Sequence, residues 1–227
     1  MALPKLYYFC SLINIDHDEY MIIQCIENEL KKPLPGIQSQ KIMAPESRLR
    51  TLVAESGESK KSGVLLLLYF KNDILNLVFI IRAIDESVHS GQISFPGGKY
   101  DEVDKDLIDT SLRETFEEIG VNPSDIQILG NLTNLFIPVS NYIVSPYIGF
   151  STIKPSFKLN DAEVAGIIEI PLAHFLNEQN RITGTVEVRG TVYEVPVFKV
   201  GEHQIWGATA MILSEFVALL KNSNIQF

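Results

Sequence analysis

Gly91-Gln-Ile-Ser-Phe-Pro-Gly-Gly-Lys-Tyr-Asp-Glu-Val-Asp-Lys-Asp-Leu-Ile-Asp-Thr-Ser-Leu-Arg-Glu-Thr-Phe-Glu-Glu-Ile-Gly120 is the stretch around which the rest of this 227-residue chain falls into place. From Asp104 onward its periodicity is helical, with Ile108, Leu112, Thr115 and Ile119 forming the expected buried stripe. Asp104 is the expected N-cap and Gly120 the expected stop. Beside the stripe, Glu114, Glu117 and Glu118 stand at i, i+3 and i+4, so their carboxylates are expected to converge on one patch. Like charges that close repel one another. Such a patch is either a solvated acidic face or a site neutralised by a hard cation, and oxygen-only donors suit Mg²⁺ or Mn²⁺ rather than zinc.

The turn before the helix separates those readings. Phe95-Pro96-Gly97-Gly98 ends an apolar segment in two residues that permit unusual backbone dihedrals and close approach to a ligand, and a carbonyl there is placed to face the carboxylates. Gly-Gly alone is an ordinary turn. The ordered set of Gly-Gly, an acidic loop and Arg-Glu-x-x-Glu-Glu-x-Gly resembles the signature of the Nudix hydrolases, Gly-x5-Glu-x7-Arg-Glu-U-x-Glu-Glu-x-Gly-U, with U aliphatic. The match runs from Gly98 through Arg113, Glu114, Glu117, Glu118 and Gly120 to Val121. Asp104 replaces the first Glu, eight residues rather than seven precede Arg113, and Thr115 stands at the first U. The extra residue is similar to the coenzyme A pyrophosphatase branch, whose upstream signature is Leu-Leu-Thr-x-Arg-Ser-x3-Arg-x3-Gly-x3-Phe-Pro-Gly-Gly. Its spacing is kept from Val78 to Gly98, with Arg82, Gly91, Phe95, Pro96, Gly97 and Gly98 in place, while Ile80, Ala83 and Ser87 stand for Thr, Ser and Arg.

The resemblance implies an α+β fold, an α/β/α sandwich with a mixed sheet, here carrying an N-terminal helical extension. It also implies metal-assisted hydrolysis of a nucleoside diphosphate linked to another group. Glu114, Glu117 and Glu118 would be metal ligands aided by the Gly98 carbonyl, and Arg113 would pair with Glu117 and orient it. Arg82, Gly97, Gly98 and Lys99 would bind substrate. An Asp-x-Glu-Val element makes Glu163 either a metal contact or general base, or a solvated residue at a strand start. In the coenzyme A branch the products are 3′,5′-ADP and 4′-phosphopantetheine. ADP-ribose, NADH or another dinucleotide is the alternative substrate class, kept open by the cation lost at Ser87. A catalytically silent ligand sensor is the alternative of another kind, but the carboxylate set is undamaged. Tyr100 stands where a P-loop needs Ser or Thr, and no Gly-x-Ser-x-Gly is present.

Composition bounds the remaining classes. With 46% hydrophobic residues the chain reads as globular, and a formal charge of -9 argues against a nucleic-acid surface. A small nucleotide is itself an anion, so cations on the acidic helix are needed to receive it. Cys10 and Cys25 form neither a metal-spaced pair nor a disulfide framework, which fits a reducing cytoplasm. No segment approaches the roughly 20 apolar residues of a membrane span. Leu6 to Ile15 lacks the flanks of a leader and is read as mature protein. Composition leaves a homodimer open.

Residues 1–61 are expected to form an extension and 62–227 the Nudix domain. A helix is predicted over 16–32, with Asp16 and Glu19 as a capping box and Pro33 as terminator. Gln38 to Arg50 is expected to be irregular and Ser56 to Gly63 a loop, in which Lys60 and Lys61 either attract phosphate or are simply solvated. Val64–Phe70 and Ile74–Arg82 predict a hairpin of buried strands, followed by a loop with His89 at the surface. Short strand-like runs interrupted by Gly130, Pro138 and Pro146 span 126–150. A second hairpin is predicted at Thr185–Val188 and Thr191–Phe198, turning at Arg189-Gly190. An amphipathic helix over Ala208–Leu220 closes the chain, with Trp206 as a core anchor rather than a substrate stacker.

Overall fold

The computed structural model describes residues 16–48, 59–84, 91–188 and 190–223, apart from the Ser47 side chain. Leu6–Ile15, Cys10, Asp85 to Ser90 with Ser87 and His89, and Arg189 lie outside the described residues.

Strand β1 (Lys60–Lys71) is the centre of the architecture. Its run Leu65-Leu66-Leu67-Leu68-Tyr69 is almost wholly inaccessible, since alternate side chains enter different cores on the two faces of the sheet. Each such leucine contributes roughly 1.5–3 kcal/mol by leaving water. β1 turns into β2 (Ile74–Arg82) through Asn72 and Asp73, both at positive φ (52° and 61°), the geometry of a two-residue hairpin. Against β1 run β4 (Gly97–Lys99), antiparallel, and β7 (Tyr142–Ser151), parallel. β3 (Ile93–Ser94) and β8 (Val164–Pro171) pair with β2, and β5 (Ile126–Asn131) and β6 (Leu135–Ile137) pair with β7. Among the described residues this makes a mixed eight-stranded sheet.

Helices cover both faces. On one, α3 (Leu107–Ile119) packs Ile119 and Leu112 against Leu65, Leu67 and Tyr69. On the other, α1 (His17–Leu30), α2 (Gly36–Lys41) and α5 (Gly207–Asn222) share a core with Leu66 and Leu68. The expected α+β sandwich is present. α1 carries the capping box at Asp16 and Glu19. Ile23 and Ile26 of this helix are buried in the same core as Phe79 and Phe216.

Several local expectations need correction. Lys60 and Lys61 begin β1 instead of lying in a loop, because their backbones pair with Tyr142 and Ile143. Gln38 to Lys41, the first part of the segment expected to be irregular, belong to helix α2. Asp106, not Asp104, caps α3, its Oδ1 accepting from the N–H groups of Ile108 and Asp109. Pro146 sits inside β7 rather than interrupting it. It falls where β6 pairing through Val144 ends and β5 pairing from Tyr147 begins, so neither ladder needs its missing N–H.

A smaller antiparallel sheet follows: β9 (Arg181–Val188), β10 (Thr191–Val200) and β11 (His203–Ile205), with β9 and β10 each longer than the predicted hairpin arms. Trp206 packs on Val186, Val195 and Val197, an anchor of this sheet. Glu215 is fully buried in α5. Its Oε1 accepts from the N–H groups of Gly36 (3.1 Å) and Thr133 (3.2 Å), and its Oε2 from Gln40 Nε2 (2.8 Å), so hydrogen bonds rather than an ion pair satisfy the charge.

Candidate active site

The site forms where α3 crosses β4. β4 is stapled to β1, with Leu65 N donating to the Pro96 carbonyl and Tyr100 N to that of Lys61. This fixes Gly97 and Gly98 beneath the helix. A Cβ on Gly98 would lie 2.3 Å from Cδ of Glu114, so any other residue would push that carboxylate from its present position. The neighbouring N–H of Gly97, at φ 141°, donates to Glu118 Oε2 at 2.9 Å.

The three helix glutamates occupy different environments, although Arg113 Nη1 touches both Glu114 and Glu117 and the charge of Glu114 acts on Glu118. Glu118 turns inward and is 2% exposed. Burial, with the nearby charges of Glu114 and Glu163, pushes its carboxyl up to about 8 against the opposing pull of the Gly97 N–H and Arg82. Glu114 is half-buried and is also raised by burial, with Arg113 opposing. Glu117 lies at the surface, its Oε2 2.9 Å from Arg113 Nη1. Among the described residues no three His, Cys, Asp or Glu side chains already stand as a metal cage. Arg113 spans two of the three glutamates, and a backbone N–H holds the third.

Arg113 does more than pair with Glu117. Its Nε and Nη2 grip both oxygens of Asp104 (2.8 and 3.0 Å), Nη1 also reaches Glu114 (3.0 Å), and Nη2 donates to the Lys99 carbonyl (3.1 Å). Asp104 is buried and further accepts from Thr110 Oγ1 and the Asp101 N–H. The Arg113 guanidinium, above all, holds the Asp104 carboxyl well below the usual carboxylate range. The signature position held by Asp104 is therefore the foundation of the arginine hub. The sequence showed an acidic residue there but not its partner nine positions away.

Glu163 arrives from a distant element by way of the helix end. Asn160 N donates to the Glu118 carbonyl (3.0 Å), Glu163 N to that of Asn160 (2.9 Å), and Ala83 N to that of Glu163 (2.8 Å). These bonds set Glu163 beside the end of β2, where Arg82 sits at a register shift of the β2–β8 ladder. The charges of Glu163 and Arg82 both act on Glu118. The Lys99 side chain is exposed. Asn160 was missed in the sequence, since an asparagine in a loop carries no signal of its own.

Residues 60–181 match the family model described as NUDIX domain. The chain belongs to the Nudix hydrolase family. It is 36% identical over 140 residues to mitochondrial coenzyme A diphosphatase NUDT8 of Homo sapiens, a match spanning 61% of this chain and 59% of that protein, less than two thirds of its length. It is 34% identical over 158 residues to an uncharacterized Nudix hydrolase, NudL, of Yersinia pestis, covering 70% of this chain and 78% of the relative. A solved MutT/nudix family protein from Enterococcus faecalis superposes with a TM-score of 0.48 at 16% identity, covering 76% of this chain and 66% of that one. The Nudix match ends at Arg181, so most of the small sheet and α5 lie beyond it. Among the described residues no helix is long and apolar enough to cross a membrane.

Proposed function

We propose that this Nudix protein hydrolyses the pyrophosphate of a nucleoside diphosphate-linked substrate, coenzyme A or a derivative, to 3′,5′-ADP and a 4′-phosphopantetheine product. The observation that carries the reading is the buried Glu118 carboxyl facing Glu114 and Glu163, a concentration of oxygen donors whose mutual repulsion a hard divalent cation relieves. The donors fit Mg²⁺ or Mn²⁺. Glu114, Glu117 and Glu118 would hold the ion, with the Gly98 carbonyl as a further donor. A bound divalent cation supplies charge neutralisation to the phosphate oxygens and the leaving group.

The chain's own residues supply the rest. Arg113 fixes Glu114 and Glu117 from one side and is itself fixed by Asp104, so two carboxylates are oriented before substrate arrives. Arg82 and Lys99 are cations for the substrate's phosphates, with the Gly97-Gly98 backbone as a further proposed contact. Water attacks one phosphorus as the bridging P–O bond breaks, and Glu163, exposed at the start of β8, accepts the water's proton. Support for coenzyme A comes from the upstream spacing between Val78 and Gly98 and from the likeness to the human relative. Ser87, in place of a cation, favours the second reading, ADP-ribose or another dinucleotide. The cytoplasm is the proposed compartment. The deciding experiment is a panel of coenzyme A, 3′-dephospho-coenzyme A, ADP-ribose and NADH with Mg²⁺ or Mn²⁺, products resolved by chromatography. Coenzyme A cleavage is expected, and cleavage of dinucleotides alone would overturn the substrate assignment.

A further inference from the structure

β9 is an edge strand whose sequence is complementary to itself. Among the described residues it pairs only with β10, and most of its side chains are exposed. An open edge of this length is a template for another strand unless something covers it. Directly opposed residues in an antiparallel pair share a face of the sheet, so two copies of β9 related by a two-fold axis must be centred on a residue, not between two. The three central choices differ sharply. Centring on Thr183 sets Ile182 against Gly184. Centring on Thr185 sets Arg181 against Arg189 and Gly184 against Val186. Centring on Gly184 sets Arg181 against Glu187, Ile182 against Val186 and Thr183 against Thr185, each pair occurring twice.

We propose that β9 of one protomer pairs with β9 of a second copy about Gly184, joining the two small sheets into one continuous six-stranded sheet. The charge pair Arg181–Glu187 lies on one face and the apolar pair Ile182–Val186 on the other, so side chains match on both faces. Tyr193 extends the apolar face, because it is the register partner of Val186 on β10 and is 49% exposed. Arg181 and Glu187 are both exposed in the single chain. A seven-residue ladder is small against the roughly 1,200–2,000 Å² of stable interfaces, so association is expected in the micromolar range. Most of the segment lies past the Nudix match, and the proposal stands independently of the substrate assignment.

Sedimentation velocity across a concentration series, with the charge swap, tests it. Wild type should shift from monomer to dimer with concentration. Arg181→Glu opposes two glutamates at each end, and Glu187→Arg two arginines, so either variant alone should dissociate about tenfold or more readily. Mixing the two variants restores opposite charges at both ends and should restore dimer, as should the double variant Arg181→Glu/Glu187→Arg. Circular dichroism of each variant controls for folding. A wild type monomeric throughout, or single variants that associate as wild type does, would overturn the proposal, as would a mixture that stays monomeric.

Discussion

Arg113 holds Asp104 through two parallel hydrogen bonds, Nε to Oδ1 at 2.8 Å and Nη2 to Oδ2 at 3.0 Å, with the aspartate buried beneath the arginine. Replacing Asp104 removes the two-toothed partner of Arg113 but leaves its bonds to Glu114, Glu117 and the Lys99 carbonyl. Asp104→Asn should therefore destabilise the fold by about 1–3 kcal/mol, the range for lost charge-assisted hydrogen bonds. Urea denaturation at pH 7 measures it; a change below about 0.5 kcal/mol would show that solvent already screens the pair.

The same hub makes Arg113 an orienting residue for Glu114 and Glu117. Arg113→Ala should lower kcat/KM by about 10–100-fold with divalent metal present, less than Glu117→Gln or Glu114→Gln, each of which would remove a proposed ligand. Equal losses in all three variants would make Arg113 a direct participant.

Glu118 gives stability an unusual pH dependence. Its carboxyl titrates near 8 in the fold and near the ordinary glutamate value when unfolded, so between those limits the folded state binds the extra proton and stability falls as pH rises. The contribution is complete below the ordinary value, is lost on the way to about 8, and changes no further above it. Metal-free wild type should thus lose stability between pH 5 and 8 on the order of a few kcal/mol relative to Glu118→Gln. Parallel melting profiles for the two proteins would refute this. Metal binding must displace that proton, so apparent metal affinity should rise with pH up to about 8.

Gly98→Ala tests the close approach. Its Cβ would meet the Glu114 carboxylate, which must then move away, so metal affinity and activity should fall at least tenfold while the sheet persists. Unaltered metal titration by calorimetry would mean that Glu114 does not need its present position.

The sheet and the site helix were legible because their signals are local. Val64 to Phe70 read as a largely buried strand, and the Asp16–Glu19 spacing announced its helix. The signature brought Arg113 and the three glutamates to notice but not the different settings in which the structure holds them. Periodicity put Glu114, Glu117 and Glu118 on adjoining positions, yet could not show that Gly97 draws Glu118 into the interior while Arg113 keeps Glu117 at the surface. Asp104 was misplaced by two residues as a cap for a similar reason. Asp104 and Asp106 are equivalent as candidate caps in sequence, and only the position of Arg113 across the loop distinguishes them.

The buried Glu215 bears on the order in which the chain acquires its structure. Its carboxylate collects donors from Gly36, Gln40 and Thr133, which precede it by 179, 175 and 82 positions, so two segments, α2 and the chain at Thr133, receive a shared partner only once α5 has docked. Until then the N–H groups of Gly36 and Thr133 lack that acceptor and the apolar face shared with Phe216 stays open to water. A chain truncated before Glu215 is therefore expected to lack that acceptor and to expose the apolar surface that α5 covers, which limited proteolysis would detect.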